Sequence, residues 1–120
     1  MELADTPAQR TQGLSGRTAL PRGAGMLFVF DREGRHTFWM RDMEIALDFV
    51  WINADCVAVD LTEDVPPPEP GAELSDLPRY QPAVAVQYAL EINAGEIAAA
   101  GIVKGDAVVF EGSLKGMYGC

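Results

Sequence analysis

The residues best suited to chemistry lie close together, within residues 36–53 of the chain. This segment holds the carboxylates Asp42 and Asp48, together with Trp39 and Arg41. Hydrolysis of a glycosidic bond needs two carboxyl groups at a fixed separation, one of them with a raised pKa. Asp48 shares its predicted strand face with β-branched apolar residues, where desolvation would raise the pKa of its carboxyl. One hypothesis is therefore a hydrolase that uses Asp42 and Asp48.

The same residues suit a binding role, which makes fewer demands on geometry than catalysis. The indole of Trp39 offers a flat apolar surface on which a sugar ring can stack, and Arg41 and Asp42 supply directional polar contacts. Because Trp39 shares its predicted strand face with Arg41, we expect it to be more accessible than Trp51, which we expect in the core. We therefore favour a non-enzymatic binding module for a small polar or carbohydrate-like molecule.

Asp48 also has a purely structural interpretation. An acid at the start of a strand more often accepts hydrogen bonds from turn N–H groups, or pairs with an arginine, than it takes part in catalysis. Arg17 and Arg41 are the available partners, and Arg17 would complete a polar patch if its loop folds over the sheet. The candidate ligand-binding residues are Trp39, Arg41, Asp42, Asp48, Arg17 and Tyr80.

A third hypothesis is a protein-interaction module. The prolines within residues 66–70 could present a polyproline ligand, or Trp39 could anchor a partner protein. Such a module would expose an apolar patch on the surface, whereas a binding module or an enzyme would form a concave pocket.

Sites that depend on a metal, a cofactor or a nucleophile are not indicated. The chain has a single histidine, His36, and no two cysteines close together in the sequence. These residues give no metal-ligand set of familiar spacing, so we predict no metal and no cofactor. The serines lie outside any nucleophile elbow, and the glycines lack the spacing of a phosphate-binding loop. Neither Cys56 nor Cys120 has an electropositive surrounding that would lower the pKa of its thiol.

Composition narrows the choice of partners. The chain has 120 residues, which fits one domain over residues 1–120, and its net charge is −9. This negative charge repels polyanions, so we predict no nucleic-acid partner and no anionic membrane surface. The sequence contains no apolar run of about 20 residues, the length needed to cross a bilayer. The class of partner that is not excluded is a small molecule. The composition predicts no particular oligomeric state.

The two cysteines allow at most one internal disulfide, and the sequence does not determine whether they meet. Free cysteines are usually buried as small apolar residues. We therefore expect Cys56 to be a free buried residue in a strand.

The patterns of apolar residues predict two short helices and about six strands. Thr6 as N-cap, Pro7 and Gln9 form the start of a first helix that runs to about Leu14, and Asn93 caps a second helix that runs to Ala100. Together these elements indicate an all-β, mainly antiparallel fold, a jelly-roll-like sandwich or barrel. The strands are predicted at residues 25–30, 36–40, 47–53, 56–61, 84–92 and 106–111.

Two segments are expected to lie outside this core, which spans about residues 2–111. Residues 63–82 contain six prolines, which indicates a long loop of functional or mobile type. Tyr80, near its end, is the residue we expect to fold back onto the sheet. Residues 112–120 contain three glycines and are predicted to be a flexible tail.

Four stretches carry a resemblance to a known family: ELADTPAQRTQGLSGRTALP, GMLFVF, FWMRDMEIALDFVWIN and YALEINAGEIAAAGIVKGD. The chain resembles, up to about Phe110, a widespread prokaryotic family of small domains that is known only as a domain of unknown function. The resemblance implies a β-sandwich of jelly-roll type. Because many members carry an export or lipoprotein signal ahead of this domain, it also implies a mature exported, periplasmic protein. It implies no reaction.

The chain departs from this family at two positions and in one loop. Asp42 stands where the resemblance leads us to expect asparagine, and Cys56 stands where glycine is common. The proline-rich loop is longer than its counterparts. These differences argue against a role for Asp42 that needs an amide donor and against a shared functional thiol at Cys56.

Overall fold

The fold is built around one five-stranded sheet with strands from both halves of the chain. The structure, a computed structural model, describes residues 2–69, 71–73, 75, 77–111 and 119–120. In chain order the elements are β1 (Glu2–Ala4), α1 (Pro7–Gln12), β2 (Gly25–Gly34), β3 (Phe38–Trp39), β4 (Leu47–Ile52), β5 (Ala58–Val65), β6 (Arg79–Tyr80), β7 (Val86–Asn93) and α2 (Glu96–Ala100).

The strands of the large sheet follow the order β1-β2-β7-β4-β5, and β3 and β6 form a separate two-stranded sheet. All pairings are antiparallel except that of β1 with β2, which is parallel. The prediction of a mainly antiparallel β fold with two short helices is confirmed. Over the described residues the large sheet is open, with β1 and β5 as its edges. The alternative prediction of a closed barrel is therefore wrong for this part of the chain. The jelly-roll arrangement stays a prediction.

Both faces of the large sheet are covered, which explains why β4 is buried along its whole length. Successive side chains of a strand point to opposite faces. Phe28, Phe49 and Trp51 lie in one cluster, on what we call the aromatic face. Val50 and Ile97 lie in the other cluster, on what we call the α2 face. Burial of Trp51 in the core is confirmed.

The first helix begins as predicted. The side chain of Thr6 accepts a hydrogen bond from the backbone N–H of Gln9, and the Gln9 side chain accepts one from the N–H of Thr6, each at 3.2 Å. This reciprocal capping box fixes the N-terminus of α1. The helix ends at Gly13, where φ is 49°. Within the described part of the chain, no helix is long and apolar enough to cross a membrane.

Several predicted elements differ in extent, and three of them differ most clearly. The strand expected at 36–40 shrinks to the two residues of β3, because its partner strand among the described residues, β6, is equally short. The strand expected at 106–111 is reduced to a single bridge between Val57 and Ala107. Asn93 does not cap α2 because it still belongs to β7, where it pairs with Leu47; Gly95 takes the N-cap position.

The proline-rich segment returns to the sheet at its C-terminal end. Its first residues belong to β5, which continues to Val65, and its last residues form β6. There Tyr80 pairs with Phe38, and its ring centroid lies 6.0 Å from that of Phe49. The expectation that Tyr80 folds back onto the sheet is confirmed.

The expectation of a free cysteine is wrong, because Cys56 and Cys120 form a disulfide with a Cα–Cα distance of 5.5 Å. Cys56 lies in the turn before β5, with φ at 65°, and is only half-buried. The bond closes a sequence separation of 64 residues, and loops of about this length give roughly 4 kcal/mol of stabilisation. The carbonyl of Cys120 also accepts a 3.0 Å hydrogen bond from Phe110. The tail therefore ends in an anchored residue, and residues 112–118 lie outside the described residues.

Candidate functional site

A cleft of about 640 Å³ opens on the aromatic face of the sheet. One wall is the loop that follows α1, residues 12–15, and the other is residues 37–43, which contain β3 and the turn after it. The floor is formed by the sheet itself, through Phe28, Phe30 and Glu91. This volume falls in the range of about 300–1,000 Å³ that is usual for small-molecule sites.

The two walls hold each other in place through backbone contacts. The N–H of Gly16 donates a 2.9 Å hydrogen bond to the carbonyl of Asp42, and the hydroxyl of Ser15 donates a 3.1 Å bond to the carbonyl of Arg41. The turn is closed by a 3.1 Å bond from the N–H of Met43 to the carbonyl of Met40. Asp42 has φ at 58°, in the left-handed region that aspartate and asparagine enter most readily among non-glycine residues. The turn is therefore fixed before any ligand arrives.

Aromatic rings form much of the apolar lining. Phe38 contacts Phe28 edge to face at 4.9 Å between ring centroids, and it contacts Phe30 and Trp51 in the same way. Trp39 is half-buried, and the guanidinium carbon of Arg79 lies 4.2 Å from its ring centroid. The end of the proline-rich segment thus supports Trp39 by a cation–π contact, which restricts the indole beside the cleft.

Two arginines line the cleft, and each has an acidic neighbour. Arg10, from α1, donates a 2.8 Å hydrogen bond to the carbonyl of Val29, and its Nη2 lies 3.9 Å from Asp31. Arg41 lies at the rim with its Nε 3.6 Å from Oδ2 of Asp42, and both side chains are largely exposed. The positive charges at this site are therefore already paired.

Glu91 is the exceptional residue of the cleft. It lies on β7, the central strand of the large sheet, opposite Met26 on β2 and Phe49 on β4. Only 6% of the residue is accessible. Among the described residues, no hydrogen bond or ion pair reaches its carboxyl. Burial raises the pKa of the Glu91 carboxyl to about 8, so this group is protonated at neutral pH.

Sequence reasoning missed Glu91, although a signal was present. The alternation rule that assigns Phe49 and Asp48 to opposite faces of β4 also places Glu91 on the same face as Ala89, near the end of the strand predicted at residues 84–92. An acid at such a position is as unusual as Asp48. Asp48 differs from Glu91 in that it lies in the same segment of the sequence as both tryptophans.

Three of the six predicted site residues line the cleft: Trp39, Arg41 and Asp42. Asp48 does not, because its side chain points to the α2 face. There Oδ1 accepts a 2.9 Å hydrogen bond from the N–H of Asp64, and Oδ2 accepts bonds of 3.0 Å from Gly95 and Ile97. Asp48 therefore has the structural role considered above. Its carboxyl accepts hydrogen bonds from three backbone N–H groups and does not pair with an arginine. The structure does not bring Asp42 and Asp48 together.

Arg17 and Tyr80 also lie outside the cleft lining. Arg17 forms a salt bridge with Glu2 at the edge of the sheet, and its hydrogen bonds lower the pKa of the Glu2 carboxyl. Arg17 thus joins the loop after α1 to β1 instead of contributing to a polar patch. Tyr80 packs on Phe49 and supports the adjacent sheet.

The chain is similar to an uncharacterised family of proteins and to two solved structures. A family model described as Uncharacterized ACR, DUF192, matches residues 1–110. A solved structure of a protein of unknown function from Novosphingobium aromaticivorans is 33% identical, with a TM-score of 0.80 over 91% of this chain and 73% of that one. A solved structure from Sinorhizobium meliloti, named as a candidate transcription regulator, is 32% identical, with a TM-score of 0.78 over 88% of this chain and 77% of that one. No curated protein matches this chain.

Proposed function

This chain belongs to the DUF192 family of uncharacterised proteins, and we propose that it is a non-enzymatic binding module that holds a small polar or carbohydrate-like molecule in its cleft. The observation that supports this proposal most strongly is the buried carboxyl of Glu91, which lines the cleft without a protein partner among the described residues.

A carboxyl in this position is difficult to explain by stability. Burial disfavours the ionised form of this carboxyl, whereas an apolar side chain on the same face would have no polar group to desolvate beside Met26 and Phe49. Residues that lower stability and have strongly perturbed pKa values concentrate at functional sites. A ligand in the cleft would supply the missing partner.

The remaining lining suits a small molecule with both flat and polar parts. A protonated carboxyl donates one hydrogen bond and accepts others, which matches a hydroxyl group of a ligand. The rings of Phe38 and Trp39 provide surfaces for stacking, and Arg41 and Asp42 provide polar contacts at the rim. We assign to Glu91 the contact that orients the ligand at the floor of the cleft. Arg41 and Asp42 make the contacts at the rim.

The alternatives have less support. The hydrolase hypothesis needs Asp48 beside Asp42, and the oxygens of Asp48 are occupied on the other face of the sheet. An interaction module anchored by Trp39 would need an exposed indole, but this side chain is half-buried beneath Arg79. Binding of DNA, suggested by the description of the Sinorhizobium relative, is disfavoured by the net charge of −9.

Tryptophan fluorescence tests the binding role directly, because the chain has two tryptophans in different settings. Trp39 borders the cleft, whereas Trp51 is fully buried and donates a 2.9 Å hydrogen bond to Thr62. In a titration with a panel of neutral monosaccharides and polyols, we expect at least one compound to change the wild-type emission. The Trp39→Ala variant should keep the fold and the Trp51 emission but lose this change.

The matched control is Glu63→Gln, which alters an exposed acid of β5 that is not part of the cleft lining and should leave the titration unchanged. The Glu91→Leu variant should lose the response while remaining folded. A wild-type emission that no compound of the panel alters would remove the main support for this role. Retention of the full response in Glu91→Leu would show that binding occurs elsewhere.

A further inference from the structure

We propose that the natural ligand of the cleft carries a protonated amine with N–H donors, which pairs with the carboxylate of Glu91 and displaces its proton to solvent. This inference rests on the proposed function, because it names the chemical class of ligand for the same cleft. It follows from the charges, the rings and the donor requirement of the site.

The first observation is the balance of charges in the cleft once Glu91 is ionised. The ionisable groups of the described lining are Arg10 from α1, Arg41 and Asp42 from the turn after β3, and Glu91 from β7. Arg10 has Asp31 as its neighbour, and Arg41 has Asp42. The residues that pair with Glu91 across the sheet, Met26 and Phe49, carry no charge. Ionised Glu91 would therefore be the uncompensated charge of the described lining, and a bound cation would neutralise it in place of the proton.

The second observation is the aromatic lining. Phe28, Phe30, Phe38 and Trp39 all border the cleft. The faces of aromatic rings carry partial negative charge and attract a cation that lies within about 6 Å of the ring centroid. Arg10 already lies 5.9 Å from the centroid of Phe30 and Arg79 lies 4.2 Å from that of Trp39, so the protein's own arginines use part of this capacity. An anion would meet both these rings and Glu91 unfavourably. The net charge of −9 also raises the local concentration of cations near the protein.

The third observation concerns hydrogen bonds. The Glu91 carboxyl has no donor among the described residues. A primary ammonium group has three N–H donors and can satisfy both the charge and the acceptor oxygens, whereas a quaternary ammonium group has none. Amines with N–H groups therefore fit the site better than fully methylated ones. An amino sugar or a small amino alcohol combines such a group with hydroxyls for the rim.

The proton balance of binding is simple. The protonated carboxyl of Glu91 gives up its proton to the solvent, the ligand keeps the proton on its nitrogen, and a carboxylate–ammonium pair forms. Because the pKa of Glu91 is about 8, ionising the carboxyl at pH 7 lowers the apparent affinity only about tenfold. The charge-assisted hydrogen bonds between the ammonium group and the carboxylate offset this loss.

The experiment compares two ring-matched probes, trans-4-aminocyclohexanol and the neutral 1,4-cyclohexanediol, by calorimetric titration of the full chain. The amine of the first probe stays charged well above pH 8, as alkyl ammonium groups do. Since the amine binds ionised Glu91, we expect its association constant to rise about 50-fold between pH 6 and pH 8 and then to level off. Titrations in buffers of different ionisation enthalpy should show release of about one proton per bound amine near pH 6.

Two variants assign the effect to Glu91. In Glu91→Gln the amine should bind weakly with no dependence on pH and no proton release, while Glu63→Gln should behave as the wild type. If the diol binds and the amine does not, or if the affinity for the amine is flat from pH 6 to pH 8, the cationic ligand is overturned while the binding module stands. If neither probe binds the wild type, the inference is likewise overturned, and the fluorescence panel decides the binding role separately.

Discussion

At pH 8 the Glu91→Gln variant is expected to be more stable than the wild-type protein by about 4 kcal/mol, whereas at pH 4 the two proteins should differ by less than about 1 kcal/mol. The reason is the raised pKa of Glu91, about 8 in the folded protein against a model value of 4.5. Between these two values the unfolded chain has lost the proton and the folded chain keeps it. The folded state then binds one proton more, so stability falls as the pH rises through this window.

Urea denaturation at several pH values measures this effect, because the difference in unfolding free energy between wild type and variant isolates the contribution of Glu91. Glutamine has nearly the shape of glutamic acid but cannot ionise, so it removes the titration and keeps the packing. The Glu63→Gln variant, altered at an exposed position, should follow the wild type at every pH. A constant difference between wild type and Glu91→Gln from pH 4 to pH 8 would mean that Glu91 ionises normally in the folded protein.

The Asp48→Ala variant is expected to lose about 4 kcal/mol of stability and to retain binding in the cleft. Asp48 is completely buried and accepts three backbone hydrogen bonds, from Asp64, Gly95 and Ile97. Hydrogen bonds to a charged group contribute about 1.5–3 kcal/mol each, and alanine would leave donors near α2 without a partner. The loss should therefore be large, yet confined to the α2 face.

Thermal unfolding and ligand titration on the same samples separate the two consequences. Asp55→Ala, which truncates an exposed acid in the turn after β4, should change the free energy of unfolding by less than about 0.5 kcal/mol. Titrations of Asp48→Ala are made well below its midpoint of unfolding, where the protein is folded. If this variant keeps its stability but loses ligand binding, Asp48 belongs to the site and the assignment to the α2 face is mistaken.

Sequence reasoning succeeded where local chemistry decides the outcome. The N-terminus of α1 depends on Thr6 and Gln9, which are three residues apart and form their capping box without help from the rest of the fold. The alternation along β4 correctly separated Trp51 from Asp48, because neighbouring residues of any strand face opposite sides. The return of Tyr80 to the sheet followed from an aromatic side chain placed among prolines.

Features that depend on contacts between distant segments of the chain could not be predicted from the sequence. The strand expected around Trp39 is short because β6, from a segment about 40 residues away, covers only two positions. The disulfide depends on whether Cys120 reaches the turn of Cys56, which spacing alone cannot state. Asp48 and Asp42 are close in sequence but lie on opposite sides of the sheet, while Glu91 joins Asp42 only because β7 is the central strand.

Chemical-shift mapping by NMR tests the binding role of the cleft most directly. Backbone amide signals of the wild-type protein are followed while a panel of small polyols, sugars and amines is added, and the same titration is repeated with Glu91→Leu. A binding site built on Glu91 predicts that the perturbed signals cluster at residues 12–15, at residues 37–43 and around Glu91, and that they return to their free positions in the variant. Perturbations confined to other parts of the surface, or none with any compound, would contradict it.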